Sequence, residues 1–300
     1  MTELDLSTQL CGRPRLVKIN IERKMPETLI ILQARMSSSR LPNKVLLPIL
    51  GKPMLAHQID RINILKIPHK LIIATSTQTS DDPIERLCQQ LNISCYRGSL
   101  DDVLERYYQA AIEFSKNKTI KNIVRITGDC PLIDSDIIEQ VINLFLKSNV
   151  DYCSNCAPAT LPDGLDVEVF SFDALEKAYR LAKKLSEREH VTPFICNNPQ
   201  LFTVKNYNHQ PDLSHYRWTV DEPEDFKLIT KIYQALYLTK PNFKLVDILY
   251  LIRKEPELTK INQHILRNEG LIKSELADQR SDSQATHHQT VIGKQHDQIL

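Results

Sequence analysis

Glycine is scarce in this chain, with seven in 300 residues. The glycine-rich phosphate loops are missing too: neither G-x-x-x-x-G-K-[ST] nor G-x-G-x-x-G occurs. There is no nucleophile elbow and no HExxH, so nucleophilic hydrolases and dinucleotide oxidoreductases are unsupported. Charge of neither sign dominates, since 38 basic and 37 acidic residues give a formal net charge of +1. That balance argues against a general nucleic-acid binder or a membrane-surface protein. No run approaches the ~20 apolar residues of a membrane span. Residues 1–26 carry charges throughout and lack the apolar centre of a signal peptide. Cysteine forms no regular framework: the seven are scattered and read as reduced thiols, which points to the cytoplasm. Cys153 and Cys156 are the one close pair, and no second pair or histidine pair completes a zinc site.

What is present is alternation. Apolar runs at 28–34, 70–77, 93–97 and 122–127 predict strands. Amphipathic stretches at 54–65, 83–91, 102–114 and 135–146 predict helices, the last capped by Asp134 or Ser135. This is the pattern of βαβ units, hence an α/β fold with a mainly parallel sheet covered by helices on both faces. In the second half, 165–171 and 215–220 alternate like strands with one wetter face, and helices are expected at 172–185 and 223–237. The division expected is a flexible extension over 1–26, one domain over 27–273 with an inserted lobe around 150–215, and a polar, disordered tail over 274–300. A start-site misassignment within the extension stays open beside it. Four of the glycines, Gly51, Gly98, Gly128 and Gly164, fall where tight turns or close backbone approach are expected.

In an open parallel sheet, ligands sit beyond the carboxyl ends of the strands. The first such end carries QARMSSSRLPNK, with Arg35, Arg40, Lys44 and a row of serines. Those cations can offset much of a polyphosphate's charge, and Ser37, Ser38 and Ser39 can hydrogen-bond its oxygens. The alternative is a solvated basic loop. At the end of the fourth strand, Asp129 follows Gly128 and suits Mg²⁺, or else an Asx-turn. Asp221 ends another strand and, with Glu224 and Pro223, also fits a helix-capping box. Asp163, Asp166 and Glu168 surround a turn into a strand. They could hold a polyhydroxylated acceptor or a metal, or form the charged face of an edge strand. Ser186 and Glu189 fit a second capping box. Beside them Arg188 and His190 could contact a carboxylate-bearing substrate, although a histidine there also has a structural reading.

The blocks QARMSSSRLPNKVL…GKPMLAHQIDR, GSLDDVLERYYQAA, VRITGDCPLID, PDGLDVEVFSFDALEKA, SEREHVTPF and RWTVDEPEDFKLI resemble, in order, the cytidylyltransferase family. The likeness runs from about residue 27 to 272. It is nearest to the spore coat polysaccharide branch, a relative of the acylneuraminate and 3-deoxy-manno-octulosonate cytidylyltransferases. The resemblance implies a nucleotide-diphospho-sugar transferase-like (Rossmann-like) fold and a Mg²⁺-dependent reaction. In that reaction a sugar hydroxyl attacks the α-phosphorus of CTP, giving a CMP-sugar and pyrophosphate for surface polysaccharide or glycan assembly. A nonulosonic acid is among the candidate acceptors.

By position, Arg35 and Lys44 match the triphosphate-binding pair, with Gln33, Ala34, Ser38 and Arg40 around them. Asp129 and Asp221 match the two metal-binding carboxylates, and Arg35, Lys44 and Asp129 are the expected catalytic set. Asp163, Asp166, Glu168, Arg188 and His190 remain the acceptor-side candidates. The implied partners are CTP and a sugar or sugar acid, with no nucleic acid and no membrane; a homodimer stays open. Two departures stand out, Ser37 and Asn43, where the family commonly has glycine. Asn tolerates left-handed backbone, whereas Ser37 would obstruct a close approach if positive φ were needed there. The competing readings are a glycosyltransferase of similar fold using a nucleotide-sugar donor, and a non-catalytic nucleotide- or sugar-binding homologue.

Overall fold

A computed structural model describes residues 28–115, 120–267 and 271–279. The expected extension over 1–26, and the tail beyond 279, lie outside the described residues.

The chain opens with β1 (Thr28–Gln33), whose first five residues are all buried, as a strand covered on both faces requires. The small hairpin β2 (Pro48–Ile49) and β3 (Lys52–Pro53) comes next, then α1 (Met54–Asn63). After it come β4 (Lys70–Ser76), α2 (Asp82–Gln90), β5 (Ser94–Gly98), α3 (Val103–Phe114), β6 (Asn122–Thr127) and α4 (Ser135–Ser148). These match the sequence expectations to within a few residues. Asp134 caps α4 by accepting from the Asp136 amide, and Asp102 caps α3 by accepting from Glu105.

The second half holds β7 (Tyr152–Ser154), β8 (Glu168–Ser171), α5 (Phe172–Leu181), α6 (Leu185–His190), α7 (Pro193–Cys196), β9 (Val204–Asn206), α8 (Pro223–Leu236) and α9 (Leu245–Lys254). All the strands except the hairpin join one sheet in the order β5-β4-β1-β6-β8-β7-β9. From β5 to β6 the pairs are parallel; β8 is antiparallel to both β6 and β7, and β9 runs parallel to β7. One apolar cluster lies under α1, α4, α8 and α9, and a second under α3 and α5, so helices cover both faces.

Four expectations change. Residues 215–220 form no strand; one isolated bridge, Asp163 to Arg217, is all the pairing they make. Trp218 and Val220 are buried there, but so are Arg217 and Thr219, and the backbone is tied to the 163 turn and to Asp129 instead. The helix expected over 172–185 ends at Leu181, and a new one starts at Leu185. There the amides of Lys183 and Lys184 donate to Glu187, not to a Ser186–Glu189 box. Finally, 271–279 is helical, and the Asp278 carboxylate accepts from the Ser186 amide, so this start of the expected disordered tail packs on α6.

The order of the sheet fixes where a ligand can go. The chain runs outward from β1 to β4 and β5, then returns to place β6 on β1's other side. Strand order therefore reverses between β1 and β6, and their carboxyl ends border the crevice in which such sheets bind ligands. Gln33 and Thr127 are register partners there, and the Gly128 amide donates to the Gln33 carbonyl at 2.7 Å. A Cβ on Gly128 would stand 2.8 Å from that same oxygen. Glycine is what lets the two strand ends close together.

Candidate active site

The loop after β1 is held from beneath. Asp81, fully buried, accepts from the Met36 amide at 2.7 Å and from the Ser76 amide at 3.1 Å. Sequence reading missed it inside a polar run that looked like ordinary loop. Asn43 then takes left-handed backbone (φ 61°) and donates its amide to Met36, turning the chain into the short 3₁₀ turn Lys44–Leu46. Ser37 is not among the positive-φ residues, so the conformation that would have made it an obstacle is not adopted.

That turn buries Lys44, 8% exposed, with its ammonium facing the crevice. The Lys44 Nζ donates to Asp221 Oδ1 at 2.8 Å, to the Val220 carbonyl at 2.8 Å and to Asp129 Oδ2 at 3.1 Å. Burial alone would lower the ammonium's pKa, but the two carboxylates outweigh it and raise it above the usual lysine value. Burial would likewise raise Asp129. The Lys44 charge and hydrogen bonds from Thr127, Lys44 and Cys130 instead hold it well below the usual carboxylate range. Both groups are therefore charged at neutral pH.

Asp221 is not the helix cap that the sequence allowed. Asp225 accepts from the Asp221 and Glu222 amides, each at 3.0 Å, and so closes the α8 terminus. The Asp221 side chain is thereby left facing Lys44, Arg40 at 3.1 Å and Arg217 at 3.1 Å.

Two adjoining cavities open around this cluster. The first, about 320 Å³, is lined by Gln33, Ala34, Arg35, Ser37–Ser39, Arg40, Lys44 and the Gly128–Asp129 turn, so it gathers every nucleotide-side candidate. No hydrogen bond or ion pair of Arg35 is found among the described residues, which leaves its guanidinium available to an anion. Arg106 and Arg125 also line this cavity, and sequence reading had singled out neither. Arg106, from α3, is buried with its Nε unpaired, and burial lowers its pKa. An arginine within the apolar run of β6 was the available signal for Arg125.

The second cavity, about 410 Å³, shares Arg40, Arg125, Thr127, Asp129, His190 and Asp221 with the first and adds Asp163, Asp166 and Glu168. These last three carboxylates already have partners. Asp163 accepts from Arg217 at 2.9 Å, and Asp166 pairs with Arg267. Glu168 accepts from Arg125, its register partner across β6–β8, from the Tyr152 hydroxyl at 2.7 Å and from Thr192. Glu168 therefore serves as a wall post. Arg188 lines neither cavity: it is bound to Asp102 and to the Tyr179 carbonyl, joining α6 to the start of α3.

A mainly parallel sheet, a cationic loop at its switch point and a pair of carboxylates bridged by one lysine can be set beside known proteins. The family model described as cytidylyltransferase matches residues 29–248. The chain belongs to the cytidylyltransferase family. An uncharacterised protein of Methanocaldococcus jannaschii is 38% identical over 238 residues, spanning 78% of this chain and 94% of its own. The spore coat polysaccharide biosynthesis protein SpsF of Bacillus subtilis is 30% identical over 250 residues, 78% of this chain and 97% of its own. A solved cytidylyltransferase from Leptospira borgpetersenii superposes with a TM-score of 0.74 at 33% identity, covering 81% of this chain and all of that one. As a cytidylyltransferase, the chain is a nucleotidyltransferase with the nucleotide-diphospho-sugar transferase-like fold. Among the described residues, no helix is long and apolar enough to cross a membrane.

Proposed function

We propose that this cytidylyltransferase moves CMP from CTP to a hydroxyl of a sugar, a nonulosonic acid among the candidates, and releases pyrophosphate. The place of action proposed is the cytoplasm, in the assembly of a surface polysaccharide or glycan, in keeping with the name of the Bacillus relative. The observation that carries this reading is Lys44 bound between Asp129 and Asp221, beside an Arg35 with no partner among the described residues.

Transfer at phosphorus depends mainly on in-line positioning and on offsetting charge at the transferring and leaving groups. Arg35 and Lys44, with hydrogen bonds from Ser38 and the loop amides, suit the triphosphate in the first cavity. The sugar then occupies the second, so that its hydroxyl meets the α-phosphorus where the cavities join.

The residues fit a divalent cation. Asp129 and Asp221 converge on a single ammonium, so their oxygens are near one another. No three His, Cys, Asp or Glu side chains form a cage among the described residues. Mg²⁺ is commonly held by one or two carboxylates together with substrate phosphates, which is what this donor set offers. When bound, Mg²⁺ would neutralise charge on the phosphate oxygens. Lys44 would keep the two carboxylates together until the nucleotide arrives.

The first test is thermal stability with each of the four nucleoside triphosphates, with and without Mg²⁺. Ligand at ~100 times its dissociation constant adds about 2.7 kcal/mol, which moves the melting temperature by a few degrees. The expected shift is specific to CTP and depends on Mg²⁺. A shift with a nucleotide-sugar donor, and none with CTP, would overturn the reading in favour of glycosyl transfer.

A further inference from the structure

His190 stands where the two cavities meet and lines both. It is the last residue of α6, and the backbone turns sharply just after it. Val191 adopts φ 73° and ψ −54°, and the Thr192 amide donates to the His190 carbonyl at 2.9 Å. That is a γ-turn of the rare, strained kind. For a β-branched residue, positive φ is a genuine outlier. Such strain persists only where the surroundings over-determine it, and it concentrates at functional sites. Here Val191 is fully buried and Thr192 is bound to Glu168, so both sides of the turn are fixed and His190 is directed into the crevice.

The ring's outer contacts decide its tautomer. Ser274 Oγ donates to Glu189 Oε2 at 2.9 Å, and His190 Nε2 lies 3.1 Å from the same Oγ. A hydroxyl has one hydrogen. With that hydrogen given to Glu189, Oγ is left to accept from Nε2–H. A neutral ring then carries its lone pair on Nδ1, which has no hydrogen-bond partner among the described residues, and the side chain is 25% exposed.

We infer that His190 is the base that takes the proton of the attacking sugar hydroxyl. This rests on the proposed nucleotidyl transfer and adds a residue to it. In the step, the sugar oxygen forms its bond to the α-phosphorus. The bond from that phosphorus to the bridging oxygen breaks, and pyrophosphate leaves with the electron pair. The hydroxyl proton passes to Nδ1 and is released to solvent from the imidazolium once the products depart. Glu189 and Ser274 are positioning residues that keep Nε2 protonated. The charged groups facing the ring are Glu189, Glu168, Arg125 and Arg35. Burial, with the two arginines, outweighs the two carboxylates and lowers the ring's pKa, so it is neutral at pH 7.

The test uses the full chain in two arms. ¹⁵N-edited imidazole spectra, with CTP and Mg²⁺ present, read the tautomer. Pyrophosphate release with N-acetylneuraminate and 3-deoxy-manno-octulosonate reads turnover against pH. His190 should appear as the Nε2–H form. His190→Gln keeps a donor toward Ser274; it should retain the CTP melting shift, lose ~10²–10⁴-fold in turnover and lose the acid limb of the wild-type profile. Ser274→Ala should shift the tautomer population toward Nδ1–H.

An Nδ1–H ring in the wild type overturns the inference. So does wild-type turnover in His190→Gln, or a lowered rate with the acid limb intact. If neither sugar acid turns over, the tautomer arm alone decides. A wild-type chain with no CTP shift overturns the transfer reading itself, a result distinct from either failure of His190.

Discussion

The amide of Val220 donates to the carbonyl of Asp129 at 2.8 Å, and through it the loop before α8 is fastened to the end of β6. The Thr219 hydroxyl donates to the same carbonyl at 3.3 Å. Asp129 and Asp221 come from segments some ninety residues apart, yet their main chains are locked together before their side chains meet Lys44. The carboxylate pair is therefore a property of the backbone, which suits a site that must hold its geometry while a substrate replaces the lysine's contacts.

Asp129→Asn preserves shape but removes one charge from beneath Lys44. Loss of a preorganised electrostatic group typically costs ~10²–10³-fold in rate. Pyrophosphate release should fall by that order, as it should on chelation of divalent metal. Lys44→Ala should lower both turnover and stability, because it removes the cation between Asp129 and Asp221 and leaves Asp221 only Arg40 and Arg217. Full pyrophosphate release by both variants would show that the active site lies elsewhere.

Arg35 behaves differently because nothing in the described fold depends on it. Arg35→Ala should leave the stability within the range of ordinary surface substitutions, about 0.5 kcal/mol. Its effect should appear as a weaker CTP-dependent melting shift. A hydrogen bond to a charged group contributes ~1.5–3 kcal/mol, so the apparent CTP affinity should drop roughly 10- to 150-fold. An unfolded variant, or unchanged CTP binding, would contradict its assignment to the anion.

Much of this site was legible because strand ends advertise themselves. Near-continuous apolar runs located β1 and β6, and the charged residues just beyond them, Arg35, Lys44 and Asp129, had nowhere to go but the crevice. The alternating 215–220 run misled. Its polar members Arg217 and Thr219 are buried like Trp218 and Val220, so alternation there does not mark a wet face. Arg106 was hidden by helical periodicity, which places it on a buried face without saying that the face reaches a cavity. Asp81 was missed because its Met36 donor lies in another segment and leaves no trace in local sequence. The amides that Asp225 accepts are local, and there the capping box was simply placed one residue early, on Asp221 and Glu224. Asp166 and Glu168 line one cavity, but nothing in the sequence pointed to the arginines that occupy them, Arg267 and, from the middle of β6, Arg125.

Gly128 tests the closeness of the two central strands. Gly128→Ala places a methyl 2.8 Å from the Gln33 carbonyl oxygen, a backbone atom that cannot swing away. Overpacking of this kind costs ~1–3 kcal/mol, and here the relief has to come from parting β1 and β6 at the nucleotide cavity. The expected result in denaturant melts is a destabilised protein, with CTP binding weakened more than Arg35→Ala weakens it. By contrast Ser37→Gly should not tighten CTP binding, since Ser37 has no positive φ to relieve.

Asp225 supplies the pH prediction. Fully buried, it accepts from Arg217 at 2.9 Å through both oxygens, from Asn262 at 2.8 Å and from the Asp221 amide. Burial would raise its carboxyl, but the hydrogen bonds from Arg217 and Asn262, that amide and the Arg217 charge hold it below the usual value. A folded-state pKa below the unfolded one means that the unfolded chain binds the proton first as acid is added. The stability Asp225 contributes is thus complete above about pH 4, the unfolded carboxylate value, and drains away as pH falls through its lower folded value. Asp225→Asn should lose stability at neutral pH, by less than the ~3–5 kcal/mol that an orphaned buried charge costs, because Arg217 keeps Asp163 and Asp221. The variant should also show a flatter fall in stability below pH 4. Urea melts from pH 3 to 7 decide the matter: parallel wild-type and variant curves across that range would mean that Asp225 is not the group whose protonation loosens the α8 terminus and, with it, Asp221.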